Sequence, residues 1–334
     1  MKGNPEEISA MAAHNPIFCD IGITEKCLFK CRMCRLWQSP GNEQELSITE
    51  WKNFVSSLEG FGSNIRIHIA GGEPLLKDGI LELIGFATKK GFTSVMVSNG
   101  FLIDEEVAQR IADSGLGVIS ISLDTLDEEK HDFLRGRPKA GEHAKRAIDY
   151  LTKKGARSIS ILAVIMDPNL GDLTALAEWV NSNSAISSIY FQAVSQPIAT
   201  PRDQRWHTKE EFGYLWPKDK QRTDAVIDQL ISYKKSGYKI SNSLRQLEVF
   251  KSYFKEPHKL SGGMKCTQGD YVMYLRPTGD VLLCGSMAPI GNVRTQSINE
   301  IWFSQEAESR RQEIHLCQES CLNLINCFED KDLP

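Results

Sequence analysis

Six short runs rich in isoleucine and valine alternate with helix-length segments between residues 17 and 194, and this alternation narrows the possible folds more than any other feature. The runs are IFCDIGI (17–23), IRIHIA (65–70), SVMVSN (94–99), VISISLD (118–124), SISILAVI (158–165) and IYFQAV (189–194). Their mostly apolar character suits parallel strands buried on both faces. The first intervening segment opens with Ser47-Ile48-Thr49-Glu50, a capping box whose serine and glutamate satisfy free amide donors at a helix start. Gly91 and Gly115 follow later helical patterns as stops. Six β–α alternations predict an α/β domain with a parallel sheet. The pattern alone leaves both an open barrel and a doubly wound sheet in play.

The chain has 334 residues, a length for roughly two domains. After Val194 the alternation stops. Residues 195–222 hold three prolines and two tryptophans without a period, which predicts a long loop. Helical patterns follow near 223–236 and 243–254. In the tail, YVMYLRPTGDVLLC predicts a β-hairpin turning at Pro277-Thr278-Gly279-Asp280. Ser297-Ile298-Asn299-Glu300 is a second capping box, opening a helix expected to reach about Ile314. Basic residues number 39 and acidic ones 43, for a net charge of -4. That balance gives no electrostatic basis for a nucleic-acid or anionic-membrane partner. No run approaches the ~18 apolar residues of a spanning helix, and the start MKGNPEEISA lacks the apolar core of a signal peptide. The expected location is the cytoplasm, where thiols stay reduced and clustered cysteines point to metal or redox chemistry rather than disulfides.

Eight of the nine cysteines fall into two groups at opposite ends of the sequence. Cys19 stands apart within the first apolar run and reads as a core thiol. Cys27, Cys31 and Cys34 follow that run directly, at the strand edge where parallel α/β folds place their chemistry. Three thiolates on one loop can hold three irons of a [4Fe–4S] cube, leaving the fourth iron open to a substrate or cofactor. Structural zinc is the alternative, but it prefers a closed shell of four ligands, and no fourth thiol or histidine lies nearby in sequence.

With this C-x3-C-x2-C spacing after the first strand, the chain resembles the radical S-adenosylmethionine (SAM) superfamily, whose core is a partial (β/α)6 TIM-like barrel. Gly71-Gly72-Glu73-Pro74 after the second run is similar to the family's GGEP segment, which recognises the amino group of SAM. Glycines permit close backbone approach there, and a carboxylate can pair with an ammonium. Ser98-Asn99-Gly100 resembles a family turn after the third strand, and Ser122-Leu123-Asp124 its SLD segment near the ribose and carboxylate of SAM. His131-Asp132-Phe133-Leu134-Arg135-Gly136 also has the family's look. Met33 stands where the family often has an aromatic residue; methionine offers apolar surface to an adenine, and Trp37 is a nearby substitute. Taken singly, each segment also reads as local structure: a turn, a helix cap or a strand-end serine. In order, at successive strand ends, the resemblance implies a SAM site made by Met33, Gly71, Gly72, Glu73, Pro74, Ser98, Asn99, Ser122 and Asp124.

Cys266, Cys284, Cys317, Cys321 and Cys327, with Gly279 and Gly291-Asn292-Val293 between them, resemble the SPASM/twitch extension of that superfamily. A full SPASM domain holds more cysteines, so the resemblance implies the shorter form, a small α+β cysteine-rich domain with one auxiliary [4Fe–4S] cluster. Cys266 and Cys284 are its firmest ligands, and two of the three later cysteines complete the shell. Spacing alone favours structural zinc for this group. The resemblance further implies reductive cleavage of SAM to methionine and a 5′-deoxyadenosyl radical, which abstracts hydrogen from an unactivated C–H bond. It implies a reductant such as ferredoxin or flavodoxin, and oxidation or cross-linking of a peptide or small-molecule substrate. A non-enzymatic iron–sulfur carrier or scaffold is the contrasting reading, disfavoured because a carrier needs no SAM pocket. The expected organisation is an extension at 1–16, a radical SAM core at 17–194, an insertion with linker helices at 195–259 and the auxiliary domain at 260–334. About sixteen residues precede the first strand, so no separate amino-terminal peptide-recognition domain is expected.

Overall fold

Each apolar run forms a strand in the computed structural model, which describes residues 15–39, 44–62, 64–257 and 266–326. They are β1 (Phe18–Thr24), β2 (Arg66–Gly71), β3 (Thr93–Ser98), β4 (Val118–Ser122), β5 (Ile159–Ile165) and β6 (Ser188–Ala193). Consecutive strands are parallel neighbours, in the order β6-β5-β4-β3-β2-β1. Between them run α1 (Ile48–Ser57), α2 (Ile80–Lys89), α3 (Glu105–Ser114), α4 (Glu128–Arg135), α5 (Ala140–Lys153) and α6 (Leu173–Ser182). The Ser47 capping box forms, and Gly115 ends α3 in the left-handed conformation. Adjacent parallel strands with a helix in each crossover make a barrel wall rather than a doubly wound sheet. Because β1 and β6 are not paired, the barrel is partial.

The C-terminal hairpin is present but does not stand apart. Strand β7 (Val272–Leu275) pairs parallel with β1, placing Phe18 opposite Val272. Then β8 (Asp280–Leu282) and β9 (Gly291–Asn292) continue antiparallel, so one nine-stranded sheet joins both ends of the chain. Paired on both edges, β1 buries Cys19 completely. Helices α7 (Lys220–Lys235) and α8 (Leu244–Lys255) agree with their patterns. The single helix expected to reach Ile314 is instead two, α9 (Ile298–Trp302) and α10 (Gln305–His315). Ser304 causes the break, since its hydroxyl accepts from the Ala307 N–H at 3.0 Å and starts a new helix.

Two asparagines manage the open edge of β6. Asn242 accepts from the Phe191 N–H at 2.7 Å and donates to the Phe191 carbonyl at 2.8 Å. Asn326, last in α11 (Leu322–Asn326), does the same to Ala193 at 2.8 and 3.0 Å. Each side-chain amide thus replaces a missing neighbouring strand. The second pairing seats the C-terminal helix against the barrel mouth. No helix of the described residues is long and apolar enough to cross a membrane.

Candidate active site

The chain leaves β1 at Thr24 and enters the loop that carries Cys27, Cys31 and Cys34. Backbone from neighbouring strand ends holds this loop. Gly72 N–H donates to the Thr24 carbonyl at 2.8 Å and Glu73 N–H to the Lys26 carbonyl at 2.8 Å. A Cβ on Gly72 would stand 2.1 Å from the Lys26 oxygen, so only glycine permits this approach. On the other side Arg32 N–H donates to the Leu134 carbonyl at 2.8 Å. Gly136, at φ 60°, passes so near that a Cβ would be 2.2 Å from the Lys30 oxygen. Arg35 N–H donates to the Ile198 carbonyl at 2.9 Å, tying the segment after β6 to the same loop.

The three cysteines line one cavity of about 210 Å³. Of the residues expected to bind the cofactor, Met33, Gly71, Gly72, Glu73, Asn99 and Ser122 line it, and so does Trp37. Pro74, Ser98 and Asp124 are buried but outside its lining. Ser98 acts on Glu73 instead: its hydroxyl donates to one carboxylate oxygen at 2.9 Å, while Asn99 N–H donates to the other at 2.9 Å. Burial pushes the Glu73 carboxyl up to about 7 against these bonds. Among the described residues no cation pairs with it.

Asp124, expected at the SAM site, is buried outside the cavity lining and is held by Arg135. Arg135 donates from Nε and Nη2 to its two oxygens at 2.7 and 2.9 Å, and Val164 N–H adds a third bond at 2.9 Å. This bidentate grip engages both carboxylate oxygens, and Arg135 itself lines the cavity. Burial opposes the Arg135 charge, but Asp124 and Cys31 overcome it and hold the group above its usual range. Sequence reading names Arg135 only within the His131–Gly136 segment and gives it no place at the site. Its signal was the helix stop at Gly136, which fixes the last turn of α4 against the cysteine loop.

The second cysteine group gathers around a smaller space of about 20 Å³, lined by Cys266, Cys284, Cys317 and Cys321. Cys266 precedes a single helical turn (Gln268–Tyr271), Cys284 follows β8, and the other two follow α10. Burial pushes the Cys266 thiol up to about 12; the Gln268 N–H opposes this, and the three neighbouring sulfurs reinforce it. Cys327 lies outside the described residues.

A third cavity of about 620 Å³ lies between these two. It shares Ser195, Ile198 and Leu322 with the first and Arg202, Glu319 and Cys321 with the second. The segment after β6 supplies much of its wall, including Trp206. Trp216 packs instead on Tyr253 and Phe254 of α8, with ring centroids at 5.1 and 5.2 Å.

Residues 21–180 match the family model described as the Radical SAM superfamily, and residues 266–327 match SPASM, described as an iron-sulfur cluster-binding domain. The chain belongs to the radical SAM superfamily. This radical SAM protein is 29% identical over 294 residues to the AdoMet-dependent heme synthase of Nitratidesulfovibrio vulgaris, covering 85% of this chain and 78% of that one. It is 26% identical over 315 residues to the PqqA peptide cyclase of Rhodopseudomonas palustris, covering 92% and 78%. Its fold is similar to that of Streptococcus suis SuiB bound to precursor peptide SuiA, with TM-score 0.67, 16% identity, and 91% and 68% of the two chains covered.

The radical SAM core and SPASM domain make this an enzyme of SAM cleavage and radical generation with an auxiliary iron–sulfur domain. The donor types agree with that architecture, since soft thiolates in groups of three and four suit iron–sulfur clusters. Among the described residues no three His, Cys, Asp or Glu side chains converge on one point as a single metal ion requires. The fit is one of donor type and placement around a shared space.

Proposed function

We propose that Cys27, Cys31 and Cys34 hold the SAM-binding [4Fe–4S] cluster, and that Cys266, Cys284, Cys317 and Cys321 hold an auxiliary [4Fe–4S] cluster across a substrate cavity. The observation that carries this reading is the series of three cavities with shared walls, cysteines at each end and the largest space in the middle. When bound, cluster and SAM supply the one-electron cleavage that yields the hydrogen-abstracting 5′-deoxyadenosyl radical. The chain's own residues bind and orient. Glu73, a buried carboxylate without a cation, regains favourable charge when the SAM ammonium arrives, and Arg135 faces the SAM carboxylate. Met33 and Trp37 give the adenine apolar surface, while Asn99 and Ser122 present polar groups to the ribose. Ile198 and Leu322, shared between the SAM cavity and the middle cavity, keep bulk water from the radical. In this organisation the core at 17–194 makes the radical, 195–259 covers the substrate, and 260–334 holds the auxiliary site. A complete four-thiolate shell suits electron acceptance, hence a net oxidation or cross-link.

The middle cavity favours a peptide segment as the substrate. Arg202 pairs with Glu319 at 3.1 Å and Asp203 with Lys209 at 2.7 Å, so these wall charges are already balanced. Gln196, Gln204, Thr200, Ser286 and Asn323 provide neutral donors and acceptors, which match backbone amides. A heme-type tetrapyrrole would bring several carboxylates to a wall with no spare cation among the described residues, at considerable desolvation cost. Anaerobic incubation with SAM, reductant and either deuterated peptides or a deuterated tetrapyrrole tests this. Deuterium is expected in 5′-deoxyadenosine from the peptides; transfer from the tetrapyrrole instead overturns the assignment.

A further inference from the structure

We propose that the outer face of the first cysteine loop is the docking surface for an acidic one-electron carrier protein. The proposal rests on the reading that Cys27, Cys31 and Cys34 hold a redox centre. Exposure alternates along the loop. Lys26, Leu28, Lys30 and Arg32 face solvent, whereas Cys27 and Cys31 line the SAM cavity and Phe29 is buried. A single layer of chain therefore separates the thiols from a partner lying on that face.

The charge of this face departs from that of the whole protein. Residues 26–35 carry four basic and no acidic side chains in a chain of net charge -4, and of the four Arg35 is paired with Glu211 at 2.8 Å. Among the described residues Lys26, Lys30, Arg32 and the adjacent Arg137 have no carboxylate partner. Three of them rest on rings instead: Lys30 over Trp37 at 5.6 Å, Arg32 over Phe133 at 4.8 Å and Arg137 over Phe101 at 4.5 Å. A ring holds a cation in place without neutralising it, so the positive field stays directed outward. Phe133 and Leu28 are 47% and 37% exposed within this group. An apolar centre with a charged surround is the composition of small, transient electron-transfer contacts. Beside the second cysteine group, Arg202 is instead paired with Glu319 at 3.1 Å.

Complementarity then commits the occupant to a flavin or iron–sulfur carrier with an acidic surround. One electron passes from the reduced carrier to the centre behind the loop; the carrier is oxidised by one electron, and no bond or proton changes place. The test compares wild type with the variant Lys26→Glu, Lys30→Glu, Arg32→Glu, Arg137→Glu. Binding of oxidised flavodoxin is titrated at low and at physiological salt. Formation of 5′-deoxyadenosine is followed with reduced flavodoxin and, separately, with dithionite. Charge reversal is expected to weaken binding and slow the flavodoxin-driven rate by ~10-fold or more, the range of electrostatic steering, while the dithionite-driven rate stays at wild type. Wild-type binding is expected to weaken as salt rises. Equal flavodoxin binding and equal flavodoxin-driven rates overturn the proposal, as does loss of acidic-peptide binding in place of flavodoxin binding, which would make the face a substrate site. Should the fourfold variant not fold, the pair Lys26→Gln, Lys30→Gln carries the same test with a smaller expected loss. Absence of dithionite-driven cleavage in wild type is a different outcome, and removes the redox-centre reading itself.

Discussion

Cys27, Cys31 and Cys34 lie on one eight-residue loop, whereas Cys266, Cys284, Cys317 and Cys321 come from three separated pieces of the C-terminal segment. The first group is placed by backbone contacts at Gly72 and Gly136, where a side chain has no room. The second is placed by side chains. Arg311, only 3% exposed, donates to the Gly269 carbonyl at 3.0 Å and the Trp302 carbonyl at 2.9 Å, and so brings α10 onto the turn after Cys266. His315 and Asp270 add a contact at 2.8 Å. The electrostatics differ as well. Burial pushes the Cys31 thiol up to about 12 while Arg135 pulls it down; the influences on Cys266 include no cation. The first site is thus a preformed pocket with one fixed positive charge, and the second an assembly that depends on tertiary closure.

The largest effect expected from breaking this contrast comes from Gly72→Val. Its Cβ would collide with the Lys26 carbonyl 2.1 Å away and displace the cysteine loop. A shift of about 1 Å costs on the order of a hundredfold in rate, so reductive SAM cleavage is expected to fall at least that far. Iron at the second group is expected to remain. Equal loss of iron from both groups would show that the sites do not fold independently.

Glu73→Gln comes next. Removing one partner of a buried charge pair costs about 2–5 kcal/mol, so SAM affinity should fall by roughly thirtyfold or more. Wild-type affinity should decline as pH drops below about 7, because the carboxyl protonates there and loses its attraction for the ammonium; calorimetric titration across pH checks both. The sign for stability is opposite. Burial raises this carboxyl from 4.5 to about 7, so the folded chain holds a proton that the unfolded chain has released across that window. Stability from this group is therefore lost as pH rises through the window, and stays low above it. The glutamine variant should be more stable than wild type at pH 8, by about 3 kcal/mol at most, with the difference vanishing near pH 4. Denaturant unfolding of the cluster-free protein at the two pH values measures it. A smaller effect belongs to Arg311→Met. Losing two buried charged hydrogen bonds should destabilise the C-terminal assembly by about 2–3 kcal/mol and lower its iron, with SAM cleavage intact.

The same contrast governs what the amino-acid sequence disclosed. All six core strands, both capping boxes and the first cysteine spacing are local patterns, and they read directly. The parallel pairing of β7 with β1 joins residues 18 and 272 and leaves no periodic trace, so the hairpin read as part of a separate tail. Ser304, a capping hydroxyl directly after Phe303, splits a helix whose pattern runs on. Asp124 carried a SAM-site motif, yet its bidentate contact with Arg135 depends on the last turn of α4 being turned inward, which composition does not encode. For the second cysteine group, spacing named the candidates, and the packing of α10 on the turn after Cys266 is what gathers four of them, Cys266, Cys284, Cys317 and Cys321, around one space.

Iron and zinc content of the anaerobically reconstituted protein, measured in wild type and in the variant Cys27→Ala, Cys31→Ala, Cys34→Ala, tests the central claim most directly. At four irons per cube, wild type is expected to hold about eight irons and no stoichiometric zinc. The triple variant is expected to hold about four and to make no 5′-deoxyadenosine under dithionite. About four irons with one zinc in wild type would contradict the auxiliary cluster, and an unchanged iron content in the triple variant would contradict the assignment of the first.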